Sequence, residues 1–114
     1  MSDLSILEER KAVLELMNAY EGLLTPKQRG VLNDYYRFDL SLGEISESSS
    51  ITRAAVHDAI AKAVAKMKDY EEVLRLVERK KDIKAMIATI EQVEDEKTKL
   101  ALYRQLGKDL TDGI

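Results

Sequence analysis

Between Arg53 and Gly107 the chain holds neither glycine nor proline, and its apolar residues recur at helical spacing. Val56, Ile60, Ala63, Met67, Tyr70, Leu74 and Val77 follow one another at alternating intervals of four and three, which is a heptad seam. The seam does not continue in register. Extended, it would place Lys81 and Lys84 in the apolar stripe, whereas the stripe resumes at Ile83, Met86, Ile90, Val93 and Leu100. This slip predicts a break at Arg79-Lys80-Lys81-Asp82, with Asp82 as a weak cap and a second long helix to about Leu106. A single bent helix is the alternative. The tail from Gly107 to Ile114 is expected to fray.

Upstream the chain is punctuated by capping signals. In Thr25-Pro26-Lys27-Gln28, Thr25 suits the N-cap, Pro26 the first helical position and Gln28 the reciprocal acceptor of a capping box. Ser41-Leu42-Gly43-Glu44 repeats the logic. The first predicts a helix to about Phe38 that buries Val31, Leu32, Tyr35 and Tyr36. The second predicts a short helix stopped at Ser48-Ser49-Ser50, after which Thr52 caps the long helix. Ahead of both, Leu7, Val13, Leu14, Met17, Tyr20 and Leu24 form one amphipathic stripe, with Ser2 or Asp3 as its cap and Gly22 near its end.

Composition agrees with an all-α chain. Aromatics are 5% and tryptophan is absent, so Leu, Ile, Val, Ala and Met must build the core of these 114 residues. The lack of Cys removes disulfides and thiolate metal sites, a single His makes a histidine-rich metal site hard to build, and His57 has no nucleophile partner in sequence reach for a hydrolase triad. No Gly-rich phosphate loop occurs. The expectation is a protein that is not an enzyme and takes no cofactor or metal. The start, MSDLSILEER, lacks a signal-peptide pattern, and no apolar run nears the roughly 18 residues that span a bilayer, so a cytoplasmic protein without membrane contact is expected. Net charge is -3, yet residues 53–80 carry seven basic against five acidic groups. Any nucleic-acid surface has to be local.

A capped helix, a short capped helix, a tight turn and a helix opened by Thr52 form a helix-turn-helix order. Packing sends Leu42, Ile45, Ile51, Val56 and Ile60 inward, which leaves Arg53, Ala54, His57, Asp58 and Ala61 outward with Lys62 at the edge. In such units the first turns of the last helix meet base edges in the major groove. The organisation expected is a helix-turn-helix domain over 1–80, and over 81–114 a helical extension that packs on it or on a second subunit.

The stretch from residue 24 to residue 71 resembles the YlxM-like small helix-turn-helix proteins of Gram-positive bacteria, themselves related to the fourth region of sigma factors. The resemblance rests on Leu24-Thr25 with Lys27-Gln28, the Tyr35-Tyr36 pair, Ser41-Leu42 with Glu44-Ile45, Thr52-Arg53 with Ala55-Val56, and Asp69-Tyr70-Glu71. It implies a sigma-like helix-turn-helix unit with long C-terminal helices, a DNA-binding role, and a link to the signal recognition particle pathway. Where members usually carry an apolar residue and then Gly in the turn, this chain has Ser49 and Ser50. Ser50 is therefore expected to adopt a left-handed conformation, at a cost of roughly 1 kcal/mol.

The leading expectation is a regulator that binds double-stranded DNA through Thr52, Arg53, Ala54, His57 and Asp58, with Lys62, Lys27 and Arg29 toward phosphates. Arg37, Lys66 and Lys68 are further candidate phosphate contacts. The alternative is a protein–protein or ribonucleoprotein accessory module of the signal recognition particle pathway without sequence-specific DNA binding. The long seams need apolar partners, and a homodimer would present two recognition helices to two half-sites.

Overall fold

The structure, a computed structural model, describes residues 3–112. Six helices and no strand occur among them: α1 (Asp3–Tyr20), α2 (Pro26–Leu32), α3 (Leu42–Ser49), α4 (Arg53–Leu74), α5 (Leu76–Glu91) and α6 (Glu96–Asp112). A 3-10 turn at Glu21–Leu23 follows α1, and α2 runs on into a π-helical turn at Asn33–Arg37. None of the described helices is long and apolar enough to cross a membrane. Of the expected caps of α1, Ser2 lies outside the described residues, as does the end of the tail, and Asp3 is the first residue of the helix.

Both capping boxes form. Thr25 Oγ1 accepts from Gln28 N at 3.1 Å, and Gln28 Oε1 accepts from Thr25 N at 3.0 Å. Ser41 Oγ accepts from Glu44 N and Glu44 Oε1 from Ser41 N, each at 3.0 Å. The Ser41 amide, and then its hydroxyl, hold the Glu44 carboxyl below its ordinary value. Thr52 Oγ1 accepts from Ala55 N at 3.0 Å and starts α4. Each such cap contributes about 1 kcal/mol.

The turn between α3 and α4 is built on serine. Ser50 has φ 56° and ψ 36°, the left-handed conformation expected of it. The Ile51 amide returns to the Ser46 carbonyl at 3.3 Å, and the Ser46 hydroxyl donates to the Ile51 carbonyl. This is a Schellman-like closure that keeps half-buried Ile51 against the core. Ser49 sits exposed. We expect Ser50→Gly to stabilise the protein by about 0.5–1 kcal/mol, the left-handed penalty less the extra unfolded-state entropy of glycine. An unchanged or lower urea midpoint for that variant would contradict the strain.

Contacts divide the chain into two compact units, one ending at Val77 and the other beginning at Glu78. In the first, Val13, Leu16, Met17 and Tyr20 of α1 meet Leu24, Leu32, Ile45, and Val56, Ile60, Ala63 and Met67 of α4 in one cluster. The heptad seam is thus buried through Met67; Tyr70 and Val77 are half-buried, and Leu74 is 47% exposed. In the second, Ile90 is buried while Met86, Leu100 and Leu102 are exposed.

Three boundaries differ from expectation. The break falls at Arg75, in left-handed conformation with φ 54°, and α5 passes unbroken through Arg79–Asp82. The cause is a contact distant in sequence. Tyr20 Oη accepts from Leu76 N at 3.1 Å and Glu71 Oε1 accepts from Val77 N at 3.0 Å, so two free amides of the new helix find partners there. A second break follows α5, where Asp95 caps α6 by accepting from Thr98 N at 3.0 Å and from the Thr98 hydroxyl. The acidic run at Glu91 to Glu96 therefore contains a helix start. Finally, α6 continues through Gly107 to Asp112 rather than fraying at the glycine.

Candidate nucleic-acid interface

The first turns of α4 form a ridge between two grooves. Val56 and Ile60 anchor the underside at 0% and 7% exposure, while Arg53, Ala54, His57, Asp58 and Ala61 face solvent. The inward set inferred from spacing is the observed one, with Ile45 buried and Leu42 and Ile51 half-buried.

On one flank lies a groove of about 460 Å³ that brings α2 and the serine turn alongside α4; Thr25, Lys27, Gln28, Ser49, Ile51, Asp58 and Lys62 line it. Two sequence-inferred cations, Lys27 and Lys62, thus share one groove. Lys62 is not free, because its Nζ lies 3.0 Å from Asp58 Oδ2 in an exposed ion pair. Such a pair contributes little to stability and opens readily to a competing anion. On the other flank a groove of about 340 Å³ is lined by His57, Ala61 and Lys68 of α4 with Glu9, Tyr35, Tyr36 and Leu42.

The remaining candidates divide by role. Thr52 is the cap of α4, and its hydroxyl already accepts the Ala55 amide. Arg29 is half-buried and lines neither groove. Arg37 is held by Glu21 at 2.5 Å, Asn18 at 3.0 Å and Asn33 at 2.5 Å, so it ties the end of α2 to α1. Its hydrogen bond is the main reason the Glu21 carboxyl titrates below its ordinary value, and Arg29 adds a smaller share. Lys66 is half-buried.

Arg53 has a distinctive seat. A Cβ built on Gly43 would stand 2.9 Å from its Nη2 and 3.2 Å from its Cζ and Nε, so the guanidinium occupies the space that a side chain at position 43 would fill. Among the described residues no ion pair includes Arg53.

Sequence reasoning missed the brace behind the ridge. Arg10 donates to the Tyr35 and Tyr36 carbonyls at 3.1 and 3.2 Å and to Asp39 Oδ1 at 2.6 Å. Its guanidinium carbon also lies 5.6 and 5.4 Å from the Tyr35 and Tyr36 ring centres. It thereby satisfies carbonyls at the end of the π-turn, as a cation at a helix C-terminus should. No local motif marks it, since its partners lie 25 to 29 residues away.

Residues 7–106 match the family described as "Putative helix-turn-helix protein, YlxM / p13 like". The UPF0122 protein of Anoxybacillus flavithermus (strain DSM 21510 / WK1) is 43% identical over 67 residues, covering 59% of this chain and 61% of that relative. UPF0122 proteins of Bacillus cereus strains AH187 and G9842 are similar to the same extent. The aligned stretch spans about three-fifths of these curated relatives.

Proposed function

Since the chain belongs to the YlxM/p13-like family of helix-turn-helix proteins, we propose that it is a nonenzymatic regulator that binds double-stranded DNA with the first turns of α4. One observation carries the reading. The ridge of Arg53, Ala54, His57 and Asp58 is exposed along its length while the residues beneath it are buried, so the rod is held firmly and offered outward. In this reading Arg53 reaches a guanine edge or phosphate, and Ala54, His57 and Asp58 lie toward the base edges. Lys27 and Lys62 meet the backbone from the shared groove, Arg29 adds charge on α2, and Thr52 sets the start of the helix.

The exposed Met86, Leu100 and Leu102 of α5 and α6 support pairing with a second copy, which would place two recognition helices on two half-sites. The test is a titration of the full chain with duplex DNA at several salt concentrations, with Arg53→Ala alongside. Affinity should fall steeply with salt, with a slope of about 0.9 per phosphate neutralised. Arg53→Ala should weaken binding by about 1–3 kcal/mol. Saturation at two protomers per duplex is expected, and one per duplex would remove the dimer. Absent or salt-insensitive association, indifferent to the substitution, would remove the DNA reading.

The net charge of -3 and the serine-built turn favour one second reading. There the unit keeps its shape and serves as an accessory module of the signal recognition particle pathway. Retention of the particle's GTPase or RNA without duplex binding would favour it, and no enrichment over a control would reject it.

A further inference from the structure

The guanidinium of Arg53 does not extend freely from the start of α4. It lies over the first turn of α3, where a Cβ at position 43 would stand 2.9–3.2 Å from its far end and oblige that flexible end to shift. Gly43 is the second residue of α3, between Leu42 and the capping Glu44, and its backbone is ordinary helix with negative φ. No backbone conformation there requires glycine, and alanine has the higher helix propensity. Local stability therefore does not account for this residue. What it does provide is clearance.

The place is also electrostatically odd for a cation. Arg53 opens α4 and rests on the opening turn of α3, so it lies by the positive ends of two helix dipoles. Among the described residues no carboxylate pairs with it. The carboxylate in that turn, Glu44, is engaged by the Ser41 amide, and the planar fork of Arg53 suits phosphate or guanine. Seating it beforehand lowers the rotamer entropy lost on binding.

We propose that Gly43 is a positioning residue for Arg53: its bare Cα lets the guanidinium lie against α3 and so sets the direction in which it meets nucleic acid. This inference rests on the reading of α4 as the DNA-contacting helix and assigns one determinant within it.

The test is a double-mutant cycle in the full chain, with Gly43→Ala, Arg53→Ala and the double variant titrated against the same duplex at several salt concentrations. Thermal melts accompany each titration, and Gly43→Ala should melt no lower than the parent. Gly43→Ala should weaken duplex binding about three- to tenfold and flatten the salt slope. In the Arg53→Ala background it should change affinity by less than about twofold, because nothing remains to displace. The Arg53 Nε–Hε resonance of the free protein should also shift in Gly43→Ala. If Arg53→Ala weakens binding while Gly43→Ala leaves it unchanged, or weakens it equally in both backgrounds, the positioning role fails and the DNA reading stands. If Arg53→Ala itself has no effect, Arg53 is no reader and the inference falls with it.

Discussion

Tyr20→Ala is expected to destabilise the protein by about 3–5 kcal/mol, the range for removing a fully buried aromatic ring. Tyr20 is 0% exposed, and its ring centre lies 6.0 Å from that of Tyr70. Its hydroxyl donates to Glu71 Oε1 at 2.5 Å and accepts from the Leu76 amide at 3.1 Å. Truncation therefore opens a cavity and strips a partner from each of two polar groups. Tyr20→Phe separates the effects: it keeps the ring, leaves those groups short of a partner, and should cost about 1–3 kcal/mol. Urea denaturation of the three proteins checks both figures, and a Phe variant as stable as the parent would remove the clasp from the account.

The same residue sets an alkaline limit. Burial first, and then the hydrogen bond to Glu71, hold the Tyr20 hydroxyl above its ordinary value of 10.0, while the Leu76 amide pulls modestly the other way. In the unfolded chain tyrosine ionises near that value, so above it the unfolded state binds fewer protons than the folded one. The contribution of Tyr20 is thus complete below about pH 10 and declines as pH rises further. Stability should fall more steeply above that pH in the parent than in Tyr20→Phe.

Ile45→Ala is the second large effect, at about 2–5 kcal/mol. Ile45 is 1% exposed and is the buried residue of α3, the helix that braces α4. Against a typical total of about 5–15 kcal/mol this is a major fraction. The melting midpoint should drop by about 10 °C or more. Ile45→Val should cost about 0.5–1.5 kcal/mol, in line with the smaller cavity. Duplex affinity of Ile45→Ala should fall with the folded fraction as temperature rises, and its salt slope should stay that of the parent. A midpoint within about 2 °C of the parent would mean that α3 is not held by this contact.

The core beneath the ridge was legible because its signals are local. Val56, Ile60, Ala63 and Met67 recur on one face, and Thr25, Ser41 and Thr52 stand where hydroxyls close the first turn of a helix. The left-handed Ser50 was expected from the resemblance instead, because family members usually carry glycine at that place in the turn. The outward identity of Arg53, Ala54, His57 and Asp58 followed in turn, because the opposite face of a helix is defined once its apolar face is known.

The break at Arg75 was not legible, because the partners that end one helix and begin the next are Glu71 and a tyrosine hydroxyl 56 residues before Leu76. A register slip in the apolar stripe marks where a helix must turn its face, not where its amides find other acceptors. Arg10 is the same case in miniature: an ordinary surface residue by pattern, it is tied by folding to three groups at the far end of α2. The seat of Arg53 belongs with them, since the space over Gly43 exists only once α3 and α4 are packed. Periodicity and caps act within a few residues and determined the helices and their inward faces. Hydrogen bonds and clearances between distant residues exist only in the assembled fold, and they decided where the long rod divides and where its leading cation lies.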